Sequence, residues 1–170
     1  MSQAIYARIL YDEIRMMDPK SGLYVWCDPD EAGVLEVQRI LHGAPFKVEN
    51  STEYHVTVLY HEGKMPERIQ IPVDRPTSAR LAGFEVWPTE KGNVMVLRLD
   101  SPELQELHAE LLRTGLTHSF PDFKAHLTVA KNVDMNDRKT LGWYMSRNHY
   151  LKYCPTHITL DERVKASSLA

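Results

Sequence analysis

The sequence has few cysteines, no excess of basic residues and no long apolar run, and each shortage excludes a class of protein. The 170 residues carry a formal net charge of -3 at pH 7, which excludes the broad electrostatic footprint of proteins that hold long nucleic acids. Cys27 and Cys154 form neither a metal-binding spacing nor a disulfide framework, which is typical of a reduced cytoplasm. No apolar run approaches the ~18 residues that cross a membrane, and the start of the chain lacks the basic and apolar blocks of a signal peptide.

What remains is the composition of one ordinary globular domain. Apolar residues make up 43% of the chain and charged residues 25%, and the length is sufficient for a real core. Residues 61–80 are the one clear interruption, because Pro66, Pro72 and Pro76 fall there among mixed charges. We therefore expect a single domain over residues 1–170, with two halves joined near 61–80.

Two short motifs carry the chemistry. His55–Val58 reads His-Val-Thr-Val and His126–Val129 reads His-Leu-Thr-Val. Side chains alternate along a strand, so His and Thr two positions apart point to the same face. Two such pairs facing each other would place two proton-transfer groups and two hydrogen-bond donors around one small anion. That is an arrangement suited to a phosphodiester.

The surroundings select this pair over a third His-x-Thr at His157–Thr159. A helix ended by glycine precedes each chosen motif, with Gly43 twelve positions before His55 and Gly115 eleven before His126. A strand-like segment precedes each of these helices, Ile5–Tyr11 and Asn93–Leu99. The third motif follows its own helix much more closely and completes no such unit. The order strand, helix, His-x-Thr strand thus occurs twice, which indicates an internal duplication.

The patterns predict an α+β chain with short helices behind one or two antiparallel sheets, the uncovered sheet face forming a groove that carries both motifs. Three helices are expected: one beginning at Asp28–Glu31 and ending near Gly43, one beginning at Ser101–Pro102 and ending near Gly115, and one from Asp134 to about Arg147. The remaining expected strands are Leu23–Trp26, Arg80–Trp87 paired with Asn93–Leu99, His126–Lys131 and Thr156–Leu160. The tail from Val164 is expected to be frayed.

Histidine suits both halves of phosphodiester cleavage, because its pKa lies near neutrality. One histidine can deprotonate the attacking oxygen while the other protonates the leaving oxygen. The threonine hydroxyls can donate hydrogen bonds to the non-bridging oxygens. For a single histidine on a strand, a core position would be the simpler interpretation. A zinc site at His55 and His126 lacks support, since no His-x-x-x-His or cysteine pair accompanies them.

These residues resemble a known family. His55–Leu59 and Phe123–Ala130 are similar to the paired signatures of the 2H phosphoesterase superfamily, the second following its Phe-x-x-His-x-Thr pattern. The resemblance implies a two-lobed fold with pseudo-twofold symmetry and antiparallel sheets lining a central groove. It also implies a site that needs neither metal nor other cofactor, with His55, Thr57, His126 and Thr128 as catalytic residues.

Within the superfamily the chain resembles the phage branch that degrades the cyclic oligonucleotide signals of CBASS immunity. The small size, the opening Tyr6–Glu13 and the lack of a basic track for long RNA favour that branch. The resemblance implies hydrolysis of 3',5' bonds in cyclic di- or trinucleotides, in the cytoplasm of the host cell. Two alternatives stay open: a 2',3'-cyclic phosphodiesterase acting on RNA ends or nucleotides, and a non-catalytic nucleotide sponge. The oligomeric state is left open.

Substrate contacts are harder to derive. Bases stack on aromatic faces, so the candidates are Tyr11, Trp26 and Trp143, although aromatic residues more often fill cores. Glu162 is a candidate for a base edge. Lys131, Arg8 and Lys47 could contact phosphate, although each is more simply a solvated surface charge.

Overall fold

The computed structural model of the chain describes residues 22–64, 77–118 and 122–168. Its helices are α1 (Glu31–Leu41), α2 (Pro102–Arg113) and α3 (Arg138–Tyr153). Its strands are β1 (Leu23–Cys27), β2 (Val56–His61), β3 (Thr77–Thr89), β4 (Gly92–Asp100), β5 (His126–Lys131), β6 (His157–Leu160) and β7 (Lys165–Ser168). None of the helices in these ranges is long and apolar enough to cross a membrane.

The strands of the described residues form one antiparallel sheet in the order β6-β3-β4-β5-β2-β1-β7. Its two central strands, β2 and β5, are joined by a single register pair, Val56 with Leu127. The other neighbours pair over much longer stretches, and β3 and β4 do so from Arg80 with Asp100 to Thr89 with Gly92. The sheet therefore consists of two well-paired halves that meet at a narrow seam, which lies where the two His-x-Thr motifs lie.

Each helix begins at a side-chain cap, as expected for polar residues that satisfy free backbone N–H groups. Asp30 accepts the Gly33 N–H at 2.7 Å, and Ser101 accepts the Leu104 N–H at 3.2 Å. The predicted start of α3 at Asp134 is wrong. Asp137 caps that helix by accepting the Thr140 N–H, whereas Asp134 accepts the Asn136 N–H in the preceding turn. The helix also continues to Tyr153, beyond the predicted end at about Arg147.

The core lies between the helices and one face of the sheet. The apolar stripe of α2 (Leu104, Leu107 and Leu111) is almost fully buried there. Along β2 and β5, apolar residues next to the motif threonines are buried, while Thr57 and Thr128 keep partial exposure on the other face. The predicted hairpin around Glu90–Asn93 and the predicted strands at Leu23–Trp26 and His126–Lys131 are confirmed.

The end of the chain differs from the prediction. The tail from Val164 does not fray, because Lys165–Ser168 forms β7 and pairs with β1. Val164 is 5% exposed and anchors this strand, and the Lys165 ammonium forms an ion pair with the Asp28 carboxylate. The strand that precedes α1 and pairs with β2 is β1. The predicted strand Ile5–Tyr11 and most of the connection near 61–80 lie outside the described residues.

Candidate active site

The two His-x-Thr motifs occupy equivalent places in two equivalent units. β1–α1–β2 and β4–α2–β5 each consist of a strand, a helix and an antiparallel partner strand, and their last strands are neighbours in the sheet. This arrangement supports a duplication, with β1 as the first strand of the first unit in place of the predicted Ile5–Tyr11, which lies outside the described residues.

A β-bulge follows the threonine in both units. On β2, Thr57 pairs with Trp26 and Leu59 with Val25, so Val58 has no register partner on β1. On β5, Thr128 pairs with Val96 and Ala130 with Met95, so Val129 has no register partner on β4. An extra residue of this kind shifts the alternation of the side chains that follow it. The residue three positions after each threonine, Tyr60 or Lys131, therefore returns to the threonine's face.

The carbonyl of each bulge residue accepts a hydrogen bond from outside its strand pair. The Val58 carbonyl lies 2.7 Å from Nδ1 of the buried His108 on α2. The Val129 carbonyl accepts the Glu49 N–H at 2.7 Å. These bonds fix the loop before β2 against β5 and fix α2 against β2. The strands that present the motifs are thus anchored by hydrogen bonds from outside their own pairing.

The four predicted catalytic side chains meet in one small cavity. It has a volume of about 150 Å³ and is lined by Glu49, Glu53, His55, Thr57, His126, Thr128 and Lys131. The two imidazoles can take up and release protons, and the two hydroxyls can donate hydrogen bonds to an anion between them. The cavity is therefore equipped for general acid–base chemistry on a small charged group.

Two larger cavities flank the small one. A cavity of about 660 Å³ shares Thr57, His126, Thr128 and Lys131 with it, and adds aromatic and apolar walls from Trp87, Phe123, Val94 and Val96. A second, of about 950 Å³, shares Glu49, Glu53 and Lys131 and adds mostly polar residues such as Gln38, Asn50 and Asn132. The small cavity thus adjoins an aromatic compartment and a polar one.

His126 is held in a defined orientation. Its Nδ1–H donates a hydrogen bond to the Lys124 carbonyl oxygen at 2.7 Å, and the ring contacts Trp87 at a centroid distance of 4.5 Å. The tautomer that makes this bond leaves a lone pair on Nε2. Burial, followed by the repulsion of Arg98, lowers the pKa of His126 below its usual 6.5, although the Lys124 bond opposes the shift. The lowered pKa favours the neutral ring, which is the form that can accept a proton.

His55 sits in a different environment. Its side chain is exposed just before β2, and its ring contacts the edge of Tyr24 at a centroid distance of 6.3 Å. The Tyr24 hydroxyl lies 3.0 Å from the Thr57 hydroxyl, and the Tyr24 ring stacks on Trp26 at 4.9 Å. Burial raises the pKa of Tyr24, so it stays protonated and positions Thr57 as a neutral hydrogen-bond partner.

The predicted substrate contacts differ in where they lie. Trp26 is next to the site, through its stacking on Tyr24 and its register pair with Thr57. The structure does not bring Trp143 there: it packs on Phe46 and Phe84, at centroid distances of 5.1 and 5.2 Å, beside the core. Glu162 lies exposed between β6 and β7 and lines none of the three cavities described above. Tyr11 is outside the described residues.

Sequence reasoning missed several residues that line or support the site. Tyr24 alternates with Trp26 on β1, and this pattern was available as a signal because the two must share a face. Three other residues reach the cavities only through the tertiary fold. The pairing of β3 with β4 brings in Trp87, the loop before β5 brings in Phe123, and the loop before β2 brings in Glu49. Nothing in the local sequence indicates those approaches.

The third His-x-Thr motif has a structural role at the far edge of the sheet. Thr159 on β6 donates its hydroxyl to the Asp30 carboxylate, and its carbonyl accepts the Asp30 N–H at 3.1 Å. A Cβ on Gly33 would lie 2.5 Å from that carbonyl oxygen, so glycine is needed where α1 meets β6. This motif holds the start of α1, away from the small cavity.

Metal ions in proteins need a grouping of several ligating side chains. Across residues 22–64, 77–118 and 122–168, no three or more His, Cys, Asp or Glu side chains are grouped so that they could hold a metal ion. The metal independence of the site stays a prediction that chelation can test.

Fold and site together define an α+β protein with a duplicated unit and a pocket of two histidines and two threonines between its halves. The chain belongs to the family described as anti-CBASS protein Acb1, whose model matches residues 21–161. It is 32% identical to the anti-CBASS protein Acb1 of Vibrio phage KVP40 over 112 residues, which are 64% of this chain and 72% of the relative. It is also 32% identical over 120 residues to that of Enterobacteria phage T4, with 68% and 76% covered. The relative from Salmonella phage S16 is 29% identical over 127 residues, with 71% and 78% covered.

Proposed function

We propose that the protein counters CBASS defence by cleaving 3',5'-phosphodiester bonds of cyclic di- or trinucleotide signals. One observation carries the proposal: the two His-x-Thr pairs, separated by about seventy positions in sequence, line a single cavity of about 150 Å³. Its family membership supplies the immune context. The intact pair of proton-transfer groups argues against a non-catalytic sponge, which would not need them.

In the proposed reaction His126 is the base. Its Nε2 takes the proton of a ribose 2'-hydroxyl, and the 2'-oxygen forms a bond to the adjacent phosphorus. The bond from phosphorus to the 5'-oxygen breaks, and His55 in its protonated form gives that oxygen a proton. The ring opens to a linear product with a 2',3'-cyclic phosphate, which water can then hydrolyse with the two roles reversed.

The threonines and the flanking cavities complete the proposal. The Thr57 and Thr128 hydroxyls donate hydrogen bonds to the non-bridging oxygens as charge develops on them. The aromatic cavity offers Trp87 and Phe123 as stacking surfaces for one base, and the polar cavity holds the other part of the ring. The chemistry as written needs no metal, and we place the protein's action in the cytoplasm of the host cell.

The test is incubation with a panel of cyclic di- and trinucleotides and an RNA ending in a 2',3'-cyclic phosphate, in EDTA, with products identified by mass spectrometry. We expect linear products from at least one cyclic oligonucleotide. His157→Ala, on the motif at the sheet edge, is the matched control and should be as active as the unaltered chain. Opening of the RNA end alone would replace the proposal with the RNA-end alternative. Tight binding of a cyclic oligonucleotide without turnover would favour the sponge.

A further inference from the structure

We infer that Lys131 is a third anion-binding group of the site, which contacts a non-bridging oxygen of the scissile phosphate together with Thr57 and Thr128. This inference rests on the proposed function. A lysine ammonium is a strong donor to phosphate oxygens, and a charged hydrogen bond is about twice as strong as a neutral one.

The bulge in β5 is what directs Lys131 to the site. In a regular strand, a residue three positions after Thr128 would point to the opposite face. Because Val129 is the extra residue, Lys131 pairs with Val94 on the same face on which Thr128 pairs with Val96. The same bulge in β2 places Tyr60 at the equivalent position, so the second repeat supplies a cation where the first supplies a phenol.

Lys131 also lies where the cavities meet. It lines the small cavity with both histidines, and it lines the aromatic and the polar cavities as well. A phosphate held between His55 and His126, with nucleosides on either side, would therefore lie within reach of its ammonium group. Lys124 lines the aromatic cavity, and Lys47 the polar one, without reaching the small cavity.

The ion pair of Lys131 is loose enough to exchange for a phosphate. Its Nζ lies 3.8 Å from Glu49 Oε1, beyond direct hydrogen-bonding distance, and its side chain is 64% exposed against 21% for Glu49. Arg98, the cation on the neighbouring strand, is instead bound to Glu85 at 2.8 Å. Glu49 is fixed through its backbone N–H to the bulge carbonyl of Val129. We expect Glu49 to hold Lys131 beside the small cavity and to compete with the substrate for it.

The experiment compares Lys131→Met with Lys131→Arg in the whole chain. Lys91→Met, in the exposed turn between β3 and β4, is the matched control for loss of one lysine charge. Lys131→Met should lower kcat/KM for a cyclic dinucleotide about 10- to 100-fold, while Lys131→Arg should stay within about 5-fold and Lys91→Met within about 2-fold of the unaltered chain. Calorimetric titration with inorganic phosphate supplies a second readout that does not depend on turnover.

In that titration Lys131→Met should weaken phosphate binding about 10-fold or more, and Glu49→Gln should strengthen it about 2- to 5-fold by removing the competitor. If Lys131→Met binds phosphate as well as the unaltered chain, or if its lost activity is not restored in Lys131→Arg, the inference is overturned while the proposed function stands. If the unaltered chain opens no cyclic oligonucleotide, the proposed function fails and the phosphate titration still decides the role of Lys131.

Discussion

The two repeats have the same framework and different surroundings. In the first, His55 is exposed, Thr57 is tied to the Tyr24 hydroxyl, and the bulge presents Tyr60. In the second, His126 is half-buried, its Nδ1 is bound to the Lys124 carbonyl, and the bulge presents Lys131. A duplication supplies two copies of a proton-transfer group, and their later surroundings can make one the base and the other the acid.

The surroundings of the two histidines indicate which one acts as the base and which as the acid. Burial lowers the pKa of His126, which favours the neutral form that accepts a proton. His55 is exposed and lacks such burial, so we assign it the other role, that of the acid. The comparison therefore predicts that the histidines are equally necessary and not interchangeable.

The largest expected effect comes from removing either histidine. His55→Ala and His126→Ala should each lower kcat for a cyclic dinucleotide by at least about 10²-fold, because each removes one proton transfer. The double variant should be little worse than either single variant, since the two act as a unit. Steady-state kinetics measures both, with His157→Ala as the matched control. Near-normal turnover in either single variant would end the two-histidine account.

A smaller fall in kcat is expected from a change that affects only the first repeat. Tyr24→Phe removes the hydroxyl 3.0 Å from the Thr57 hydroxyl and leaves the rings around His55 in place. We expect kcat to fall about 3- to 10-fold, equivalent to one hydrogen bond of about 1 kcal/mol, with little change in KM. Tyr144→Phe on α3 is the control. An unchanged kcat in Tyr24→Phe would mean that Thr57 needs no positioning.

The smallest effect on activity is expected from the third motif. Thr159→Val removes the hydrogen bond to the Asp30 carboxylate at the start of α1 and should lower the free energy of unfolding by about 1 kcal/mol. Urea denaturation measures this change. Turnover per folded molecule should stay that of the unaltered chain, and a deep loss of turnover would show that the wrong pair of motifs has been chosen.

The sequence predicted much of the frame because local signals agreed there. The helix start within Asp28–Glu31, the cap at Ser101, the β3–β4 hairpin and the burial alternation around Thr57 and Thr128 depend on residues close in the chain. The predicted start of α3 and the predicted fraying of the C-terminal tail were less accurate. Asp134 and Asp137 are both residues that favour a cap position, and the local sequence does not indicate that Asp137 takes it while Asp134 accepts the Asn136 N–H in the preceding turn. The pairing of β7 with β1 joins residues about 140 positions apart, which periodicity does not reveal.

The four side chains that meet in the small cavity were predictable from the sequence, whereas the walls of the flanking cavities were not. His55, Thr57, His126 and Thr128 were identified because a repeated pattern marks them and puts each pair on one face. Trp143 was a reasonable aromatic candidate by type, but α3 places it against Phe46 and Phe84. The face of β5 to which the Lys131 side chain points could not be read from the sequence. Strict alternation turns it away from the site, and only the bulge at Val129 brings it back.

The most direct test of the account is the pH dependence of kcat/KM for the unaltered chain, His55→Ala and His126→Ala on one cyclic dinucleotide. The unaltered chain should give a bell-shaped profile. Its acidic limb should fall below pH 6.5, because activity needs neutral His126 and the pKa of that group is lowered. The residual activity of His126→Ala should lose the acidic limb, and that of His55→Ala should lose the alkaline limb. Loss of the opposite limbs would reverse the assignment of base and acid, and profiles that keep both limbs in both variants would contradict a site built on these two histidines.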